Sequence, residues 1–403
     1  MEEKVHNFLN KICLIEKNIL EYIENDNDDE NFEHLTDIMI KEKINENEDN
    51  FKLILHLISN LSRYHLRTTN FYSKIYKILS TYSSNLQTIT NFEKYIIFQN
   101  DPIILLYLFE NNLLIPDKTI QKKIKEKDFF SSRHQRFKYR TYFYKEFHSK
   151  YKNSGDEYYE YCSNEEYTNK KRIGENDNYI CKLIREDSLD EFIEYINKNN
   201  MKTTEKIVSD EFETNCTLKN VTYIEYAAFF GSLKIFKYLY LNDENITDSI
   251  WQYAIHGNNA EIIHLLEEKL DMNPEYSLYY ALLFHNYEIA DYLINNYDLN
   301  EFCNSDSIQF YMMKNYNFKF LNEKYILDSN LNESLIFLSK YNYIDLVKLL
   351  LSNKDINKVV FTDNYYPIHC AISNGNIEFV KFLLKFPIIK ANLNAILYLS
   401  NLI

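Results

Sequence analysis

Glycine and proline are scarce in this chain of 403 residues, with only five of each. Hairpin-rich β architectures and glycine-dependent phosphate loops therefore lack the residues they need, and helix is the expected default. None of Gly155, Gly174, Gly231, Gly257 and Gly375 has a partner at the spacing of a phosphate loop, a dinucleotide fingerprint or a nucleophile elbow. Paired cysteines are missing too: Cys13, Cys162, Cys181, Cys216, Cys303 and Cys370 are scattered without a C-x-x-C. A chain this long needs no disulfide staples, so a reducing compartment is expected. The longest apolar run, Ile103 to Phe109, is far below membrane-spanning length, and the opening MEEKVHNF lacks the order of a signal peptide. A cytoplasmic or nuclear protein without a membrane segment is the expectation.

What is abundant is tyrosine, 36 residues, and negative charge, a net −14. That field opposes approach to nucleic acid or an anionic membrane. The charge is uneven: residues 1–50 carry 15 acidic and 5 basic side chains, and residues 117–152 carry 4 acidic and 12 basic ones. Within the basic region, RHQRFKYRTYFYKEFHSKY (Arg133 to Tyr151) interleaves cations with rings, the composition of a single-strand nucleic-acid platform. Flanking acidic segments favour an amphipathic connecting helix or loop over that alternative. The acidic string from Asp26 to Glu30 invites a calcium-loop reading. Asn31 stands at the sixth position and Asp37 at the twelfth, where such a loop needs Gly and Glu, so a solvated linker is expected instead. His256 and His264, eight residues apart across a turn, are not zinc ligands by spacing. No convergent acid, base or nucleophile set appears, so neither catalysis nor a cofactor is expected.

Apolar residues at steps of three and four from Val5 to Ile23 predict a helix, and further helical pieces cover 51–63, 70–82 and 91–112, broken near Asp101-Pro102. Three segments follow: a helical N-terminal domain, 1–116; a polar, charged connecting region, 117–178; and a repeat array, 179–403. The repeat is visible as AAFFGSLKIFKYLY from Ala227, AIHGNNAEIIHLLE from Ala254, ALLFHNYEIADYLI from Ala281 and AISNGNIEFVKFLL from Ala371. Aligned turns fall at Ser188, Gly231, Asn258, His285, Asn342 and Gly375, with gaps of 27, 27, 57 and 33 residues after Gly231. The long gap leaves room for one degenerate unit at 308–325. Small Ala227, Ala254, Ala281 and Ala371 allow close helix approach, while Gly or Asn at the turn suits positive φ. No single unit can bury its apolar face, so stability comes from stacking.

In the last unit Pro367-Ile368-His369-Cys370-Ala371-Ile372, followed by Gly375-Asn376 and an apolar helix ending Leu383-Leu384, resembles the ankyrin repeat. The chain is similar to the large divergent ankyrin families of protists, in which a helical region precedes the repeats. Tyr366 and Asn376 depart from the consensus Thr and His. The resemblance implies an all-α solenoid of about six or seven units. It also implies non-enzymatic binding of an unidentified protein on the concave face. Units 27 residues apart leave no room for a full finger, whereas Lys202 to Thr222 is long enough for an extended finger or an irregular loop. Residues just before the turns, Phe229, Phe230, His256, Phe284, Tyr341 and Ser373, form the expected contact stripe. Filling space between units is an equally open role for them. A two-part adaptor, with the N-terminal domain recruiting a second component, is the competing function. The apolar end ANLNAILYLSNLI either caps the stack or marks a truncated array.

Overall fold

The computed structural model describes residues 2–25, 28–68, 70–130, 139–148, 157–208, 210–242, 246–328, 331–352 and 367–386. Among these residues every regular element is a helix, joined by one isolated antiparallel bridge between Lys206 and Thr222, so the all-α expectation holds. The C-terminal apolar segment, Tyr366 and much of the basic aromatic segment lie outside the described residues.

The Val5 to Ile23 pattern becomes the Glu2–Glu24 helix, with Val5, Phe8, Ile12, Ile15 and Ile19 buried along one stripe. The acidic stretch after it is not a linker. Asp28–Lys41 is a helix, because Leu35, Ile38 and Met39 recur at helical spacing and are buried. Asp29 and Glu30 fall in its first turn, where the helix dipole favours anions. At the predicted break, the Asp101 carboxylate accepts from the Ile104 N–H at 3.0 Å and Pro102 opens the Pro102–Glu110 helix.

Packing gathers the chain into two compact units, one of residues 1–60, 68–99 and 303–403, the other of residues 61–67 and 100–302. Each unit draws on more than one of the expected segments 1–116, 117–178 and 179–403.

In the first unit the N-terminal helices pack on the last repeats. The Phe318 N–H donates to the Glu16 carboxylate at 2.8 Å, and Lys348 Nζ lies 2.6 Å from Asp49 Oδ2. The His56 ring stacks on Tyr316 with centroids 5.3 Å apart. The repeats here are the helix pairs Leu331–Lys340 with Ile344–Leu351 and Pro367–Ser373 with Ile377–Leu383.

The second unit holds four helix pairs: Tyr179–Arg185 with Leu189–Lys198, Tyr223–Phe230 with Leu233–Asn242, Ile250–Gly257 with Ala260–Glu267, and Pro274–Leu283 with Tyr287–Asn296. Ala227, Ala254 and Ala281 are buried where first helices meet. A Cβ added to Gly257 would stand 2.0 Å from the Ala228 carbonyl oxygen, so neighbouring units approach backbone to backbone. The turns carry the expected positive φ at Gly231 (68°), Asn258 (49°), His285 (54°), Asn342 (63°) and Gly375 (71°). In the earliest pair Asp187 (49°) takes that role and not Ser188, which begins the next helix. Tyr316 (56°) adopts the same backbone after the Asp306–Lys314 helix.

The 202–222 insertion is a short bridged base carrying an irregular loop: the Ile207 N–H donates to Val221 C=O at 2.7 Å, and the residues between form turns. In the basic aromatic segment Tyr142 and Phe143 are buried, with Phe143 packed on Phe109 at 5.3 Å and the Tyr142 hydroxyl donating to Lys171 C=O. These two rings are thereby occupied by the chain itself.

Candidate binding surface

The 27-residue spacing in the second unit lines up residues of successive first helices in columns. Thr222, Ser249 and Tyr276 make one column, Glu225, Gln252 and Tyr279 the next, then Tyr226, Tyr253 and Tyr280, then Phe229, His256 and Leu283. Helix starts are set locally. Thr222 and Glu225 close a reciprocal capping box, a T-x-x-E signal present in the sequence that the repeat alignment passed over. Asn273 accepts from the Tyr276 N–H at 3.1 Å, with Pro274 opening the helix.

Side chains near the N-terminal ends of these helices keep solvent exposure. Tyr276 is 68% exposed, Gln252 and Tyr279 are half-buried, and Tyr279 meets Phe302 edge to face at 5.8 Å. Asp248, Glu275 and Glu301, next in sequence to Ser249, Tyr276 and Phe302, are exposed. The Ser249 hydroxyl donates to Glu225 at 2.8 Å, linking adjacent columns.

The C-terminal ends of the same helices are covered. Of the six stripe residues, Phe229, His256 and Phe284 are buried, Phe230 and Tyr341 are half-buried, and Ser373 is exposed. The structure brings three of them into one ladder: His256 stacks on Phe229 with centroids 3.5 Å apart, and Phe284 meets His256 edge to face at 4.9 Å. His256 Nδ1 lies 2.8 Å from the Phe229 carbonyl oxygen, which can only accept, so Nδ1 carries the proton. Burial above all, with His65 and Arg67 nearby, pulls the His256 pKa down to about 3. Phe230 packs on Tyr226 at 4.7 Å and lies under the Arg185 guanidinium. In the first unit Tyr341 packs on Phe337 at 4.6 Å. The covering residues in the second unit come from 61–67, far away in sequence; His65 Nδ1 donates to the Phe284 carbonyl at 2.8 Å. Nothing in the repeat pattern signals that cover.

Burial pushes the Cys181 thiol up to about 12 and that of Cys13 to about 11, so neither is a thiolate near neutral pH. His264 is exposed beside Glu267 at 3.0 Å while His256 is buried in the ladder. Among the described residues no three His, Cys, Asp or Glu side chains gather as a metal site. No helix among them is long and apolar enough to cross a membrane.

Comparison with known families gives two matches. Residues 241–322 match the model of a domain of unknown function, DUF3447, and residues 335–384 match the model for ankyrin repeats in many copies. A search of curated proteins gave no match. With helix pairs, left-handed turns and the 335–384 match in agreement, the chain is an all-α protein carrying ankyrin repeats, a family of protein-interaction modules that are generally not enzymes.

Proposed function

We propose that the chain is a non-enzymatic binding protein whose second unit docks a partner protein on the row made by Ser249, Gln252, Tyr276, Tyr279 and Phe302. The observation that carries this reading is the exposed Tyr276, three residues before Tyr279, whose ring meets Phe302, with exposed Asp248, Glu275 and Glu301 next in sequence to Ser249, Tyr276 and Phe302. Aromatic anchors with an acidic rim complement a basic segment with apolar side chains. Of the expected stripe, Phe230 keeps accessible surface in this unit and serves as a further contact, while Tyr341 and Ser373 keep accessible surface in the first unit and would be contacts of that unit alone. Phe229, His256 and Phe284 would act as the support beneath.

Affinity capture with the full chain and a Tyr276→Ser, Glu275→Arg double variant tests this. Both side chains are exposed, so folding should change by no more than about 0.5 kcal/mol each. A partner retained by the wild type and bound at least roughly tenfold more weakly by the variant is the expected result. Identical capture by both chains rules out this row.

A further inference from the structure

Three stretches that belong to no helix pair meet in the second unit: 61–67, 174–178 and 210–216. The latter two are bound to each other without help from the first. The Thr214 N–H and hydroxyl both donate to Gly174 C=O, at 3.0 and 2.8 Å. Asn176 Nδ2 donates to Val208 C=O at 2.9 Å, and the Asn176 N–H donates to Glu213 Oε2 at 3.3 Å. Asn215 Nδ2 bridges two carboxylates, 2.9 Å from Glu175 Oε2 and 2.8 Å from Glu213 Oε1. These bonds hold three acceptors around one point: Glu175 Oε1, the Gly174 carbonyl and Thr214 Oγ1.

The Arg67 guanidinium occupies that point. Its Nη1 lies 2.9 Å from Glu175 Oε1 and 3.3 Å from the Gly174 oxygen, and its Nη2 lies 3.0 Å from Thr214 Oγ1. A planar fork of donors matches this set of acceptors, and an ammonium group does not. The recess is closed from water, with the Arg67 and Glu175 side chains 9% and 11% exposed. The Glu175 carboxylate at the recess selects a cation, and Glu213 is buried nearby, tied to Glu175 through the Asn215 amide. Two residues before the arginine, His65 Nδ1 donates to the Phe284 carbonyl, an acceptor fixed by the end of a repeat helix. The rings beneath, Phe229, His256 and Phe284, are packed on one another.

We propose that this face is a docking site for an arginine-bearing protein segment with a hydrogen-bond donor two residues before the arginine, and that residues 65–67, the stretch that follows the Glu48–Tyr64 helix, fill it in cis. The site is built before its occupant: loop-to-loop bonds order the arginine recess, and ring stacking orders the ladder. A segment from a partner with the same donor-x-Arg spacing meets the same acceptors once 65–67 leaves. This inference is separate from the aromatic row around Tyr276, and either can fail alone.

The test uses the full chain with His65→Ala and Arg67→Ala, probed with a synthetic peptide of residues 61–70 and with the same peptide carrying Arg67→Ala. The double variant should stay helical and bind the natural peptide at least roughly tenfold more tightly than wild type does, because its site is vacant. The Arg67→Ala peptide should bind roughly tenfold more weakly than the natural one, the loss of a charge-assisted fork. Amide exchange at 214–216 and 229–256 should rise in the variant and fall again with peptide. A folded variant that binds neither peptide, or both equally, overturns the proposal. If the double variant unfolds, Arg67→Lys, which keeps the charge and loses the fork, carries the test. Peptide binding by that chain above wild type supports the site, and none overturns it.

Discussion

His256 can be held in the ladder only as a neutral imidazole, and Glu213 is held most easily as a neutral acid. For His256, burial lowers the pKa from 6.5 to about 3, so the unfolded chain takes a proton that the native chain refuses. Its contribution is lost as pH falls below 6.5 toward 3, and the half-buried His56, lowered to about 4 by desolvation, acts in the same direction. For Glu213, burial first and the neighbouring Glu175 second raise the pKa from 4.5 to about 8. The native chain then keeps a proton that the unfolded chain releases. The stability it contributes is complete below 4.5 and is lost as pH rises through about 8. Denaturant titrations of wild type and Glu213→Gln between pH 5 and 9 test the alkaline limb. Wild type should weaken on that rise and Glu213→Gln should hold nearly level, and parallel curves would remove Glu213 as the cause. The same two residues show the limit of reading one chain. The repeat register located His256 at a helix end, but its burial depends on His65 and Arg67, which no local pattern associates with it.

Between units the recurring device is the residue after each turn. Asn259, Asn286 and Asn376 each cap the second helix through Oδ1, and each reaches back through Nδ2. The second contacts are to Gly231 C=O at 3.2 Å, Ile255 C=O at 3.1 Å and Asn342 Oδ1 at 3.3 Å. An amide can do both because it carries acceptor and donors on one group. This gives a physical account of Asn376 where the ankyrin consensus has His. Asn286→Ala should destabilise by about 2 kcal/mol, a lost cap plus a buried carbonyl left without its donor. Asn286→Asp should recover roughly half, since the carboxylate still caps but cannot donate. Thermal melts of the three proteins rank them, and equal melting of the Ala and Asp variants would discount the cap. Gly257 is the companion case in the backbone. Gly257→Ala places a methyl against the Ala228 carbonyl, which cannot rotate away, and should cost about 2–4 kcal/mol. An unchanged melting temperature would mean that the units can separate locally.

At the scale of the whole molecule, helices and turns were legible from sequence because they depend on periods of three to four residues and on single left-handed positions. Packing across the chain was not. The 28–41 helix was obscured because its acidic face outweighs Leu35, Ile38 and Met39 in any average of composition. In the first compact unit the repeats at 303–403 share their core with helices from 1–60 and 68–99, a pairing that no local pattern encodes. It changes how the adaptor alternative is best tested, because an isolated 1–116 fragment would present faces that the native unit buries. Deleting residues 1–47 removes Glu16 from the Phe318 N–H and strips the Asn47 amide from Asp345, 3.0 Å away. It also uncovers the side of the Ile344–Leu351 helix on which the Glu2–Glu24 helix packs. A repeat pair deprived of its neighbour loses the interface that stabilises it, since solenoid units are marginal alone. The truncated chain should therefore lose amide protection across 312–318 and 335–351 by at least roughly tenfold. Protection across 223–296 should stay near its full-length value, serving as the internal reference. Protection at 335–351 equal to that of the full chain would show that the last repeats stand without the N-terminal helices, and the adaptor reading would then regain a freestanding first domain.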